Sequence, residues 1–307
     1  MGLGALPVAV LDRFPSLQAT SRAAAVVASG IPYLPVPVAA LCGAMAVDSR
    51  SRGRRALWSA ACGVAVAVGA RRWLARGARG PSPDATDLVV LSANVLYGLA
   101  DPRQVAELAR RADLIAVQEN TPAFADALSA LVGDDFPHRV GTAKPGARGT
   151  MLWSRTPLDL VGSGETDFSS VVARTTVRGV PWTVANVHPV SPMRGSGLWE
   201  SDAAAVLDLV SPHVGDHLVV VGDFNAVEEH LTMRRLSAAG LTNAMRGWRA
   251  LGAPAWQPSW PTDKRFVPPL IRIDHALHSD SVEAWRPTYV AVPGSDHKAL
   301  VATFRAR

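Results

Sequence analysis

The sequence predicts a layered α/β sandwich. Two observations carry this: from Asp87 onward short apolar runs of strand length alternate with amphipathic stretches of helix length, and the helical stretches fall in both halves of that region. Leu88 to Val95 reads as the first strand. Asp101-Pro102 then supplies an N-cap and first turn for a helix whose apolar face holds Val105, Leu108 and Ala112. Leu114 to Val117 is the next strand, and Thr121-Pro122 starts a second helix with Phe124, Leu128 and Leu131 on one side. Strands follow at Met151 to Trp153, Val171 to Val177 and Trp182 to Val187, then a helix over about Glu200 to Val210. Leu218 to Val221, mostly β-branched and stopped by Gly222, reads as a strand buried on both faces. A helix at about Glu229 to Ala239 and strands at Thr288 to Val292 and Ala299 to Phe304 complete the order.

Residues 1–85 are of a different kind. Ala23 to Val47 carries no charge and is long enough to cross a bilayer, although Pro32, Pro35 and Pro37 would kink it. Ala56 to Ala70 is a second uncharged run, bracketed by arginines. The pair is expected to form a membrane hairpin of two apolar helices within residues 1–75, the alternatives being a cleaved export signal or an Ala-rich extension, followed by a linker at 76–86 and a catalytic domain at 87–307. Four arginines between Asp48 and Arg55 favour a cytoplasmic turn, whereas Arg71, Arg72, Arg76 and Arg79 pull the other way, so charge alone leaves the orientation open. Cys42 and Cys62 lie inside the apolar runs and suggest neither a disulfide nor a metal site.

Charge follows the same division. Ten of the 31 Lys and Arg lie before residue 86 against three acids, whereas the remainder has 21 basic and 23 acidic residues. The pI of about 9.7 is therefore a property of the N-terminal part, and the larger part lacks the basic footprint of a nucleic-acid binder. All eight histidines lie beyond residue 137.

The chemistry-bearing residues stand at the ends of the strands. Asn94 is late in Leu-Ser-Ala-Asn, Glu119 follows Leu-Ile-Ala-Val-Gln, and His188 follows Val-Ala-Asn-Val. Asp223 and Asn225 follow Val-Val-Val-Gly, Asp274-His275 sits in an apolar run, and Asp296-His297 precedes the last strand. Residues i and i+2 of an extended chain share a face, so Asp223 and Asn225 aim at one point, suited to a hard cation or a phosphate oxygen. One Asp-x-Asn after a strand is a common turn. Six apolar runs in succession, each ending in a group costly to bury alone, instead predict a shared cleft. Set apart from these, His138, His213, His217, His230 and His278 have no metal-like spacing and read as surface or loop residues.

In these residues and their order the sequence resembles the endonuclease/exonuclease/phosphatase superfamily of metal-dependent phosphoesterases. Gly222-Asp223-Phe224-Asn225 and Gly294-Ser295-Asp296-His297 are the most specific matches, with Asn94, Gln118-Glu119, Asn186-Val187-His188 and Ile273-Asp274-His275 in the family's order. The N-terminal apolar runs and the stretch from Pro268 to His275 resemble most the membrane-anchored bacterial branch, which implies a catalytic domain outside the cytoplasm. The resemblance implies a four-layer α/β/β/α sandwich and a Mg²⁺ ion, with Mn²⁺ as a substitute, held chiefly by Glu119 with Asn94 and Asp296 nearby. It implies that His297, oriented by Asp274 or by Asp296, is the general base, and that Asp223 orients the water or assists the leaving oxygen. Asn225 and His188 would donate hydrogen bonds to phosphate oxygens; His275 would be structural. For Gly149 to Arg155 nothing beyond a strand carries over.

The expected activity is metal-dependent hydrolysis of a phosphodiester or phosphomonoester by a monomeric catalytic domain. Phospholipid head groups, sugar phosphates and nucleic acid all present the required phosphate. A secreted nuclease acting on DNA and a non-catalytic module that binds a phosphorylated ligand are the alternatives. The aromatic and basic stretch Trp256 to Phe266, with Trp260, Lys264 and Arg265, either borders the cleft or packs on itself.

Overall fold

The computed structural model describes residues 5–74, 86–165, 167–245 and 257–307. Its strands are β1 (Leu88–Asn94), β2 (Leu114–Gln118), β3 (His138–Thr142), β4 (Thr150–Ser154), β5 (Asp159–Glu165) and β6 (Ser169–Val177), then β7 (Val180–Val187), β8 (Leu218–Asp223), β9 (Thr242–Asn243), β10 (Asp274–His278), β11 (Val282–Ala291) and β12 (Lys298–Ala306). They form two six-stranded sheets, in the orders β11-β12-β1-β2-β4-β3 and β5-β6-β7-β8-β10-β9. Each sheet contains one parallel pair, β1 with β2 and β7 with β8. A helix connects each pair: α5 (Pro102–Ala109) in the first and α7 (Ser196–Val210) in the second. Two further helices, α6 (Pro122–Val132) and α8 (Leu231–Ala238), complete the outer layers.

Alternation along the strands assigns the layers. Leu88 and Val90 of β1 and Val219 and Val221 of β8 meet between the sheets, together with Trp182, Leu300 and Phe304. The opposite faces pack outward: Leu91 and Ala93 meet Val105 and Leu128 of α5 and α6, while Leu218 and Val220 meet Val206 and Leu236 of α7 and α8. The result is helices, sheet, sheet, helices. The helix starts read from the sequence are present, since Asp101 and Thr121 accept hydrogen bonds from the Arg103 and Phe124 backbone N–H groups. Strands β3 and β5 lie at sheet edges with half-exposed residues and carry no apolar alternation by which sequence could reveal them.

The N-terminal region differs from its expectation. After α1 (Ala5–Arg13), the apolar run Ala23 to Val47 is divided between α2 (Arg22–Ala28) and α3 (Pro35–Asp48), with a bend of 65° between the segments Arg22–Tyr33 and Pro35–Asp48. Pro32 and Pro35 account for the break, because neither can donate the N–H that would continue a helix across it. No single helix among the described residues is long and apolar enough to cross a membrane. Within the start of the expected membrane segment, residues 23–28, Ala25 is instead buried against Val190 and Trp199 of the sandwich, and Ala28 against Leu11 and Ile31 of the N-terminal segment. Past the break, α3 folds back on α4 (Arg52–Leu74), and the Cys62 thiol reaches the Ala39 carbonyl at 3.3 Å. The expected linker at 76–86 and Trp256 fall outside the described residues, save Thr86.

Candidate active site

Both parallel pairs deliver their C-terminal ends to the same edge of the sandwich. There β1 ends in Asn94, β2 in Gln118 before Glu119, β7 in Val187 before His188, and β8 in Asp223. The antiparallel neighbours β10 and β12 begin at that edge, so Asp274 pairs with Asp223 and His297 immediately precedes β12. A brace beneath the site joins the sheets: the Gln118 amide donates to Asn186 Oδ1 at 2.6 Å, and Asn186 donates to the Val117 and Met151 carbonyls.

Gly222 makes this convergence possible. Its φ is +145°, and a Cβ there would lie 2.0 Å from the Val187 carbonyl oxygen, so the backbones of β7 and β8 approach as only glycine allows. Glu119 and Asn225 turn in the left-handed region, at φ +57° and +48°, which swings their side chains away from the strand direction.

Asn94 is the centre of the constellation. Its Nδ2 donates to Glu119 Oε1 at 3.2 Å and to Asp223 Oδ2 at 3.0 Å, while its Oδ1 accepts from the Leu96 N–H. The Tyr97 N–H holds the other Glu119 oxygen at 2.8 Å. His297 Nδ1 lies 2.9 Å from Asp274 Oδ2, and its Nε2 faces Asp223 at 3.7 Å and Asp296 at 3.8 Å. This geometry resolves the alternative left open by sequence: Asp274, not Asp296, holds the imidazole. Asp296 is instead held through Oδ2 by the Trp260 indole N–H at 2.9 Å, while its buried Oδ1 has no hydrogen-bond partner. His188 lies beneath, its Nε2 3.7 Å from Asp223 and 4.0 Å from Glu119. Neither His188 ring nitrogen has a hydrogen-bond partner, and Phe168 stacks on the ring at 4.7 Å. The Asn225 amide uses one N–H on the Pro189 carbonyl.

The electrostatics follow from crowding carboxylates in a buried place. Burial raises the Glu119 pKa above its ordinary value, an effect opposed by the hydrogen bonds from Asn94 and Tyr97. Asp223 is also pushed up, first by burial and then by Asp274, against the opposing influence of His297. For His297 burial disfavours the cation, but Asp274, Asp223 and Asp296 together outweigh it and raise the pKa. His188 is driven down to about 3 by burial and by His297, so it is a neutral ring.

A divalent cation fits these donors. Magnesium takes hard oxygens and few protein ligands, and Glu119 and Asp223 offer carboxylates whose mutual repulsion a cation would relieve. The unpartnered Asp296 Oδ1 is a further oxygen without a proton donor. Asn94 turns its nitrogen, not its oxygen, toward the carboxylates, which departs from its expected place as a ligand. Asp223, Asp274 and His297 also form a set whose donor atoms all lie within 4.8 Å of one another. Within that set Asp274 is already paired with His297, while Asp223 accepts from Asn94 at Oδ2 and from the Asn225 N–H at Oδ1.

These groups floor a cleft of about 590 Å³, lined by Glu119, Asp223, Asn225, Asp296 and His297 below and by Arg148, Arg194 and Trp260 along its sides. Asn94, His188 and Asp274 support it from underneath. A cavity of similar size, lined by Arg174, Asp216 and His217, lies at the opposite ends of β6 and β7 and contains none of these residues. His275 points the other way, to the Ala226 carbonyl and Asn243. His230 and His278, expected at the surface, are buried; the ring of His230 bridges the Val227 N–H and the Ala25 carbonyl. Sequence reasoning also missed Ser295, whose hydroxyl donates to the Asn94 carbonyl and accepts the His297 N–H, and Tyr289, which donates to the Asp274 carbonyl. The serine stood in a quoted motif, but its role depends on the meeting of β1 and β12.

Among solved structures, the fold is similar to an endonuclease/exonuclease/phosphatase from Beutenbergia cavernae DSM 12333, with TM-score 0.58 and 19% identity over 72% of each chain. It is similar also to sphingomyelinase C from Streptomyces griseocarneus, with TM-score 0.51 and 17% identity over 71% of this chain and 99% of that one. The catalytic domain of human Nocturnin with a bound sulfate anion gives 0.54 and 17% over 73% and 96%. No curated protein matches the sequence. A profile of the Endonuclease/Exonuclease/phosphatase family matches residues 91–297, from β1 to the histidine that Asp274 holds, and the chain belongs to that family.

Proposed function

We propose that the protein is a Mg²⁺-dependent phosphoesterase that hydrolyses a phosphodiester or phosphomonoester, with Mn²⁺ able to substitute. The observation that carries this reading is the meeting of Glu119, Asp223 and the Asp274–His297 pair around one buried amide, Asn94, on the floor of a cleft. Family membership supports it, as does likeness in fold to a sphingomyelinase.

Glu119 would be the principal metal ligand, with Asp296 beside it and Asn94 holding the carboxylates in place. A cation held by Glu119 would supply positive charge for the phosphate oxygens and would offset the carboxylate crowding that raises the proton affinity of His297. His297 then accepts a proton at Nε2 from a water that Asp223 orients, while Asp274 keeps the other ring proton at Nδ1. The second N–H of Asn225 donates to a non-bridging phosphate oxygen as charge builds there. His188, expected to be a second donor, is buried beneath the floor with Nε2 3.7 Å from Asp223, and reaches the phosphate only if that carboxylate shifts on binding.

The test is a metal-supplemented screen of the full-length protein against p-nitrophenyl phosphate, its bis ester, plasmid DNA and sphingomyelin. Hydrolysis of at least one substrate is expected with Mg²⁺ and not with EDTA, and its loss is expected in Asp223→Ala and His297→Ala. Undiminished turnover in both variants would sink the assignment.

We further propose attachment to a membrane through the α3–α4 hairpin, within residues 23–70, with the catalytic domain outside the cytoplasm and monomeric. The supporting observation is a set of exposed apolar side chains along the two helices, including Val47, Leu57, Val64 and Val66, with arginines at the turn between the helices. Flotation with anionic vesicles, lost on Val64→Asp with Val66→Asp, tests attachment. A C-terminal reporter fusion tests sidedness.

A further inference from the structure

The family match begins at residue 91, yet one wall of the cleft comes from far upstream. Val26 in α2 and Ser29 just after it line the cleft together with Met193, Ile271 and Phe168. This wall is fixed to the sandwich along its length. The Gln18 side chain donates to the Glu229 carbonyl at 3.2 Å and accepts the Leu231 N–H at 2.8 Å. His230 Nε2 meets the Ala25 carbonyl at 3.0 Å, Arg234 pairs with Asp12, and the Tyr33 hydroxyl bonds to the Leu270 carbonyl. Beneath α2, Ala25 packs with Val190, Trp199 and Phe168, and Phe168 is the ring stacked on His188.

The chemistry of the two ends of the cleft differs. Carboxylates and the His297 imidazole occupy the floor. Val26 and Met193 also line the cleft and remain 39% and 60% exposed, although a phosphate group has no use for either. A cleft of about 590 Å³ is in the size range that encloses a whole organic ligand rather than a lone phosphate. A substituent on the phosphate that leaves the floor on the side of Val26, Met193, Phe168 and Ile271, rather than that of Arg148, meets side chains that hydrocarbon can desolvate favourably.

We infer that α2 and Met193 form a subsite for a hydrocarbon substituent, and that the protein takes alkyl- or acyl-bearing phosphoesters. The inference rests on the phosphoesterase reading only for what occupies the floor. The N-terminal segment is then part of the substrate site as well as the start of the path to α3.

The probes are methylphosphonate and octylphosphonate, titrated calorimetrically into the full-length protein in Mg²⁺. Octylphosphonate is expected to bind at least tenfold more tightly, and Val26→Asp is expected to reduce that ratio threefold or more. Because Val26→Asp could disturb the seating of α2, Met193→Ser, at an exposed position on the other lip, is the second variant, with the same expectation. Equal affinity for the two probes, no binding of octylphosphonate, or a ratio unchanged in both variants overturns the inference. Phosphonates have no ester to cleave, so the outcomes separate. A tenfold ratio without hydrolysis of any ester would remove the phosphoesterase reading and keep the subsite, whereas hydrolysis with a ratio near one would remove the subsite alone.

Discussion

His297 Nδ1 lies 2.9 Å from Asp274 Oδ2, and both side chains are buried. The pairing sets which ring nitrogen carries a fixed proton, so Nε2 is the one left facing the cleft. Asp274 is itself anchored at its backbone, where its N–H reaches Ser259 Oγ and its carbonyl accepts from Tyr289. Asp274→Asn should therefore leave the fold intact and lower kcat by on the order of a hundredfold or more, with KM little changed. Steady-state kinetics beside a circular dichroism spectrum check this, and wild-type kcat in a folded variant would contradict the orienting role.

Glu119 and Asp223 share the Asn94 amide, and burial raises the proton affinity of both. A divalent cation that binds the folded site should stabilise the protein by about 2.7 kcal/mol at a hundred times its dissociation constant. The expected result is a higher Tm in Mg²⁺ than in EDTA, with most of the difference lost in Glu119→Gln. A Tm indifferent to metal in the wild type would remove the cation from the reading.

Much of the site was legible because the chain leaves expensive groups at the ends of apolar runs. Asn94, Glu119, Asp223, Asp274 and His297 each follow, interrupt or precede a buried strand, and the sheets bring those strand ends to one edge. The choice between Asp274 and Asp296 was not legible, since either carboxylate could serve and only the register of β10 against β8 decides. The role of α2 was also hidden. A stretch of alanine and valine has the same composition whether it faces lipid or protein, and the hydrogen bonds that seat it come from Gln18 and His230, more than two hundred positions apart.

Gly222 offers a test of how closely β7 and β8 must approach. A Cβ would sit 2.0 Å from the Val187 carbonyl oxygen, and that atom belongs to backbone that cannot rotate away. Gly222→Ala should force the strands apart, destabilising the fold by about 1–3 kcal/mol or more as overpacking does. The same displacement would move His188 relative to Asp223, now 3.7 Å apart, so kcat should fall even at temperatures where the variant is folded. Urea denaturation and kinetics on one preparation check both parts.

Acid should loosen the protein through its buried neutral histidines. His230 accepts the Val227 N–H at Nδ1 and faces the Ala25 carbonyl with Nε2, an arrangement that only the neutral ring with its proton on Nε2 satisfies. Burial lowers its pKa from 6.5 to about 4, and His275, similarly enclosed, is lowered to about 4 as well. In the unfolded chain both would titrate near 6.5, so between that pH and about 4 the unfolded state binds more protons than the folded one. Their contribution is thus fully present above about 6.5 and is lost as pH falls toward 4, by about 3 kcal/mol for each histidine at full effect. The Tm should decline across that interval more steeply in the wild type than in His230→Gln, which removes one titrating group, while Asp223, whose pKa burial raises to about 7, acts in the opposite direction in both. Because His230 joins α2 to the sandwich, the acid-induced loss should begin with release of the N-terminal segment. Hydrogen exchange at pH 5 should accordingly show residues 22–28 opening before β8, and simultaneous opening of the two would argue that α2 is not a separable wall.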